Sequence, residues 1–354
     1  MSSFFSDKYK ALTPYTPGEQ PKERRFIKLN TNESPFPPSK KAQEYAAKAA
    51  ESLQLYSDPT CAKLTAKVAE VLGVAPDEVL LTNGSDEILN FAFMAFCDEK
   101  TPAAFADITY GFYKVFAALN GVPYVEIPLK EDFTIDPTEY YHLGKTIFIA
   151  NPNAPTGIAL PRDTIEEIIK NNPDTVVVID EAYVDFGAES CVPLIHKYKN
   201  LLVTQTFSKS RSMAGARLGF GVACRELIAD LNTIKYSTNP YNVNSMTLAA
   251  GLGTMEDEDY TKANCKAIAQ NRAYLAAELD KMGFVQTPSM ANFIFAKHPQ
   301  ISGERIYTAL REKGILVRHF TAPRIAEYNR ITIGAREEME ALVRAMQEIL
   351  EENK

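Results

Sequence analysis

The sequence predicts an α/β protein: a large domain with a mostly parallel sheet covered by helices, followed by a smaller α+β domain. Three observations lead there. Short apolar runs alternate with helix-length segments between Val79 and Ala223, and the runs are continuous, as in strands buried on both faces. Beyond about residue 245 that alternation gives way to a long helical stretch and a few isolated short strands. A chain of 354 residues with 45% hydrophobic content can bury a sizeable core, and its length favours two domains.

The elements follow in order. Residues 1–40, rich in Pro, Ser, Thr and Asn, read as an extended arm. Residues 41–55 have helical propensity, and Cys61–Leu72 is a second helix stopped by Gly73. Val79–Thr82 is a strand, Asn83-Gly84-Ser85 a turn, and Asp86–Phe93 the start of a helix. Ala103–Ala106 is a strand, Gly111–Leu119 a helix, and Val122–Ile127 and Thr146–Ala150 are strands. Pro161–Lys170 is a helix with proline in its first turn. The strands Val176–Ile179, Leu201–Thr204 and Leu218–Ala223 complete a large domain spanning 41–245. The small domain, 246–354, holds a long helix from Thr247 to Met282, the strand Asn292–Phe295 and a further helix. The strands Ile315–Arg318 and Ile331–Ile333 and a final helix from Arg336 to Glu351 close it, and the N-terminal arm is free to pack against this domain.

Composition narrows the function classes. The formal net charge is −7 and no Lys/Arg cluster appears, so a nucleic-acid partner is not expected. Five scattered cysteines without a CxxC argue against a zinc ribbon or a disulfide framework and for reduced cytoplasmic thiols. The first residues lack a signal-peptide core, and no apolar run reaches the roughly 18–20 residues of a membrane span, so no membrane partner is expected. Four histidines show no ligand spacing, and no metal is expected. Neither GxGxxG, GxxxxGK[ST] nor GxSxG occurs in its required setting.

The chemistry concentrates in Thr206–Gly219. Lys209 lies just beyond a strand, flanked by Ser208 and Ser210, and Arg217 follows eight positions later. Asp180 ends another strand, with Tyr183 three residues on. A lysine amine and a carboxylate, each at the end of a strand, are what pyridoxal phosphate requires: the amine for a Schiff base, the carboxylate for the pyridinium nitrogen. The amine must be neutral to react, and Arg217 is expected to depress its pKa. Gly84-Ser85-Asp86 opens a helix after a strand, a place where free N–H groups bind phosphate. Tyr110 offers a ring to stack on a flat cofactor, while Phe112 and Tyr113 read as core packing. The loop Asn151–Gly157, stiffened by two prolines, can aim a polar side chain. Arg318, Arg324 and Arg330 are candidate anion clamps.

Taken together these segments resemble the fold-type I pyridoxal-phosphate aminotransferases, and most closely the histidinol-phosphate aminotransferases. The likeness also includes Lys28–Pro35, Tyr241–Asn244 and Arg330–Gly334 and covers nearly the whole chain. It implies a catalytic set of Lys209, Asp180 and Tyr183, with Lys209 moving the proton between substrate Cα and cofactor C4′. It implies cofactor contacts from Gly84, Ser85, Asp86, Tyr110, Ser208 and Arg217, and from Tyr56 of a neighbouring copy in a homodimer with shared sites. Arg330 would take a substrate carboxylate, Arg318 a substrate phosphate, and Asn32 would join the substrate site. One position departs from the family pattern: Ala154 stands where an Asn contacts the cofactor phenolate, and Asn153 is assigned in its place. The implied reaction exchanges L-histidinol phosphate and 2-oxoglutarate for imidazole-acetol phosphate and L-glutamate, in histidine biosynthesis. The rivals on the same fold are a threonine-phosphate decarboxylase and an aromatic-amino-acid aminotransferase.

Overall fold

The computed structural model describes residues 2–353. The arm adds a short strand, β1 (Ile27–Lys28), before helices α1 (Lys40–Ala49) and α2 (Ala62–Leu72). The large sheet then takes β2 (Val79–Thr82), β3 (Ala103–Ala106), β4 (Tyr124–Ile127), β5 (Thr146–Ala150), β6 (Val177–Asp180), β7 (Leu201–Thr206) and β8 (Gly219–Ala223). Its helices are α3 (Ser85–Phe96), α4 (Phe112–Asn120), α5 (Arg162–Lys170) and α6 (Arg225–Thr238). After α7 (Ser245–Met255) and α8 (Glu258–Lys281) come β9 (Val285–Gln286), β10 (Phe293–Lys297), α9 (Gly303–Glu312), β11 (Ile315–Leu316), β12 (Arg318–His319), β13 (Asn329–Thr332) and α10 (Arg336–Glu352).

The large sheet has the order β2-β8-β7-β6-β5-β3-β4, and β8 alone runs against its neighbours. Successive residues of its apolar strands serve opposite cores. Ile147, Val177 and Leu201 pack with Leu64, Val68 and Ile165 on one face, whereas Phe148, Val178 and Leu202 pack with Phe91, Phe93 and Phe116 on the other. A separate core joins Ile294 and Ile331 of the antiparallel sheet β12-β13-β10-β9 to Leu275, Leu310 and Leu342, with Leu29 of the arm inserted among them. The arm is bound there by its backbone, because β1 pairs in parallel with β11.

Four expectations need correction. The first helix ends earlier than residue 55: a 3-10 turn over Ala50–Ser52 follows α1, and Leu53–Tyr56 lie outside both. Pro161 is the N-cap of α5 rather than part of its first turn, because its ψ of 144° is extended. The long helix breaks at Glu256-Asp257 into α7 and α8, and the strand at 315–318 splits into β11 and β12, which pair with different partners. Helix α6 is absent from the sequence reading. Its apolar positions Leu227, Ile228, Leu231 and Ile234 recur at helical spacing and pack on the core of the large sheet.

Candidate active site

The topology gathers the site at one edge of the large sheet. Thr82 and Thr206, the last residues of β2 and β7, both lie opposite Gly219, the first residue of β8. Ala150 lies beside Asp180 and Asp180 beside Thr204. The segments around Ser85, Tyr110, Ala154, Tyr183, Lys209 and Arg217 therefore leave or enter the sheet at its carboxyl edge, where open α/β sheets bind ligands. They enclose a cavity of about 370 Å³, which meets a second one of about 410 Å³. Thr31, Tyr110, Ala154, Tyr183 and Lys209 line both.

Lys209 stands at the junction. Its Nζ donates to the Thr31 carbonyl at 3.1 Å and lies 5.9 Å from the centre of the Tyr183 ring. Burial, helped by the Arg330 charge, lowers its pKa to about 8, while Glu33 and Asp86 oppose the shift and Arg217 adds the least. The depression expected of Lys209 is thus present, but burial and Arg330 cause most of it rather than Arg217. Asp180 is 4% exposed and ion-paired to nothing among the described residues. It accepts hydrogen bonds from the Tyr113 hydroxyl at 3.0 Å, the Ala182 N–H at 3.2 Å and the Thr204 hydroxyl at 3.4 Å. Burial raises its pKa to about 6. Tyr113, expected to be plain core, is therefore a partner of the site; a buried tyrosine on the first turn of α4 needs somewhere to place its hydroxyl.

The loop before α3 and the loop before β8 are pressed together. Gly84 has φ +78°, and a Cβ there would sit 2.5 Å from Arg217 Nη2. A Cβ on Gly219 would sit 2.4 Å from the Ser85 nitrogen. Arg217, itself left-handed at φ 57°, reaches Ser208 Oγ at 3.3 Å and Asp86 Oδ2 at 3.0 Å. Tyr110 donates to the other oxygen of Asp86 at 2.6 Å. Free N–H groups of a helix N-terminus, a hydroxyl and a guanidinium converge here, and a phosphate dianion fits that set.

The second cavity contains Arg318 and Arg330, which face each other across β12 and β13 and have no acidic partner among the described residues. Among the described residues Arg330 donates only to the Asn30 carbonyl, at 3.1 Å, and its buried Nε has no partner. Arg324 is not a further clamp: it pairs with Asp107 at 2.8 Å and donates to the carbonyls of Leu129 and Lys130. Tyr15 and Gly18 of the arm also line this cavity, and Gln20 lines the first, a contribution that the arm's composition does not signal.

One residue sits differently from expectation. Asn153 does not line either cavity; its amide spans Thr109, the Ile108 carbonyl and Thr156, and Ala154 lines both cavities instead. Asn32 lines the second cavity, is 1% exposed, and donates from its Nδ2 to the Tyr183 hydroxyl at 2.9 Å. Tyr56 is 84% exposed, stacks on Tyr241 at 4.6 Å and lies outside both cavities of its own chain.

This fold and site define an aminotransferase: residues 24–346 match the model of the aminotransferase class I and II family, and the chain belongs to that family. It is 48% identical to the histidinol-phosphate aminotransferase of Brachyspira hyodysenteriae and 49% identical to that of Marinomonas sp. (strain MWYL1). The first alignment covers 99% of both chains, the second 98% of this chain and 99% of the relative. Within the family, its place is among the histidinol-phosphate aminotransferases. The crystal structure of histidinol-phosphate aminotransferase from Sinorhizobium meliloti in complex with pyridoxal-5'-phosphate superposes with a TM-score of 0.90 at 22% identity, over 99% of each chain, and shares the fold.

Proposed function

We propose that this chain transfers the amino group of L-histidinol phosphate to 2-oxoglutarate, giving imidazole-acetol phosphate and L-glutamate in histidine biosynthesis, with pyridoxal phosphate as cofactor. The observation that carries the reading is Lys209 at the junction of two cavities with complementary charge. One offers an unpaired buried carboxylate and a phosphate cradle, the other two unpaired arginines. Like charges opposite each other on neighbouring strands destabilise a sheet, so Arg318 and Arg330 call for anionic ligands. Histidinol phosphate supplies a phosphate and 2-oxoglutarate two carboxylates.

Ser85 and Asp86 N–H, Ser208 and Arg217 hold the cofactor phosphate, Tyr110 stacks on the ring, and Asp180 keeps the ring nitrogen protonated. When bound, pyridoxal phosphate supplies the electron sink for the pair released from the substrate Cα–H bond. Lys209, with its pKa near 8, is nucleophile first and then carries the proton between Cα and C4′. Tyr183, kept protonated because burial raises its pKa, donates to the phenolic oxygen. Arg330 takes a carboxylate and Arg318 the phosphate. Tyr56, exposed and outside both cavities of its own chain, reaches the phosphate of a partner subunit, so the enzyme acts as a homodimer. Five unpaired cysteines agree with a reducing, cytoplasmic setting.

The test follows the visible absorbance of the loaded protein on addition of L-histidinol phosphate without a keto acid. The band is expected to bleach and to return with 2-oxoglutarate. No bleaching, with carbon dioxide released from L-threonine phosphate, would assign the protein to the decarboxylases instead.

A further inference from the structure

The N-terminal arm enters the site at Thr31-Asn32. The Thr31 carbonyl accepts from Lys209, and Asn32 turns the chain with φ 56°, a left-handed conformation that Asn tolerates better than most residues. The corner is held from β13. The Asn32 N–H donates to Thr332 Oγ1 at 2.9 Å, and Thr332 Oγ1 donates to Asn32 Oδ1 at 3.0 Å. Asn292 Nδ2 fixes the Asn32 carbonyl at 3.0 Å. Asn32 and Thr332 are buried, at 1% and 2% exposure.

The bonds run in one direction from the backbone to Tyr183. A backbone N–H can only donate, so the Thr332 hydroxyl accepts from it and has its own proton to give. That proton goes to Asn32 Oδ1, which turns the amide so that Nδ2 faces Tyr183. An NH₂ group can only donate, so the Tyr183 oxygen accepts, and its own proton is left free beside the cavities it lines. With Ala154 lining both cavities and Asn153 turned away, neither loop residue can substitute for that donor.

We propose that Thr332 is a positioning residue for the reaction: acting through the Asn32 amide, it sets the Tyr183 hydroxyl as a hydrogen-bond donor to the cofactor. This rests on the functional reading above. Without the Thr332 hydroxyl the Asn32 amide is free to reverse, its oxygen draws the Tyr183 proton, and the donor to the cofactor is lost. Thr332 lies two residues from Arg330 on the same face of β13, so one strand holds both the substrate clamp and the setting of Tyr183.

The readout is the pH titration of the visible chromophore in the loaded protein. Deprotonation makes the chromophore more negative, and a donor at its phenolic oxygen favours that form, so losing the donor raises the apparent pKa. Thr332→Val is expected to raise it in the same direction as Tyr183→Phe. The double variant should shift no further than Tyr183→Phe alone, and Thr332→Ser should restore the wild-type value. A loaded Thr332→Val protein titrating like wild type, or shifts that add in the double variant, would overturn this inference and leave the functional reading intact. A wild-type protein that takes up no pyridoxal phosphate would overturn both. If Thr332→Val fails to fold, Asn32→Asp tests the same link: a carboxylate can only accept from Tyr183, so the same upward shift is expected, and its absence counts against the relay.

Discussion

At the scale of single residues, the two central titratable groups are both held away from their ordinary values, and each shift has a measurable consequence. Lys209, lowered to about 8, should react with added pyridoxal phosphate at a rate that rises with pH to a midpoint near 8, not near that of a free lysine. Arg330→Gln removes a cation that depresses the amine and should move that midpoint upward. Stopped-flow uptake by the apoprotein between pH 6 and 10 measures both, and an unchanged midpoint in the variant would remove Arg330 from the account. Asp180 is raised to about 6, so the folded apoprotein holds it neutral below about pH 6 and ionised above. The associated stability is present below about pH 4 and is lost as pH rises through about 6. Asp180→Asn should therefore stabilise the apoprotein at pH 8, by at most about 3 kcal/mol, and leave it unchanged at pH 4. Denaturant melts at the two pH values give the answer, and equal effects at both would contradict it. Lys209 and Asp180 were legible because one follows and the other ends a strand in a distinctive run. Tyr113 and Thr332 were not, since a tyrosine in a helix and a threonine in a strand look like packing until their hydroxyl partners are known.

At the scale of elements, the phosphate cradle depends on how closely β8 approaches the start of α3. A methyl at Gly219 would meet backbone atoms of Gly84 and Ser85 at 2.4–2.5 Å, and backbone cannot step aside cheaply. Gly219→Ala should cost about 1–3 kcal/mol of stability. It should also weaken pyridoxal phosphate binding at least severalfold, because the Ser85 N–H moves with the clash. Urea unfolding and a cofactor titration read the two effects separately, and a variant as stable and as tight as wild type would show that the contact is slack. Strands of the large sheet were readable because both faces are apolar and the runs are continuous. The break between α7 and α8 was not, since it depends on where each helix packs and the composition on either side is equally helical.

At the scale of the whole molecule, the chain connects distant parts through its arm. Glu19 accepts from Tyr307 at 2.7 Å and pairs with Arg311 at 3.1 Å, β1 adds to β11, and Thr31-Asn32 reaches Lys209 and Tyr183. The arm thereby joins the small sheet's surroundings to the cofactor cavity. Leu53, Leu55, Tyr56 and Tyr241 are exposed, and Tyr56 stacks on Tyr241; the homodimer proposed above would cover them. Sharing predicts complementation. Mixing Lys209→Ala with Tyr56→Ala subunits, each nearly inactive alone, should restore up to about a quarter of wild-type activity, because half of the dimers are mixed and each has one intact site. Refolding the two variants together and assaying the mixture measures this; no recovery in a mixture shown to contain mixed dimers would place Tyr56 outside the site.

The α/β class, the run around Lys209, the carboxylate at Asp180 and the glycine turn before α3 were all present in the residues, because burial on two faces and the demands of a phosphate leave local marks. Which arginines stay free was not. Arg318, Arg324 and Arg330 look alike in sequence, and the difference is that Asp107 happens to lie against Arg324. The orientation of Asn153, the partner of Asp180 and the relay from Thr332 to Tyr183 likewise arose from segments far apart in the chain. Hydrogen bonds of that kind depend on distance and direction in space, and residue order records neither.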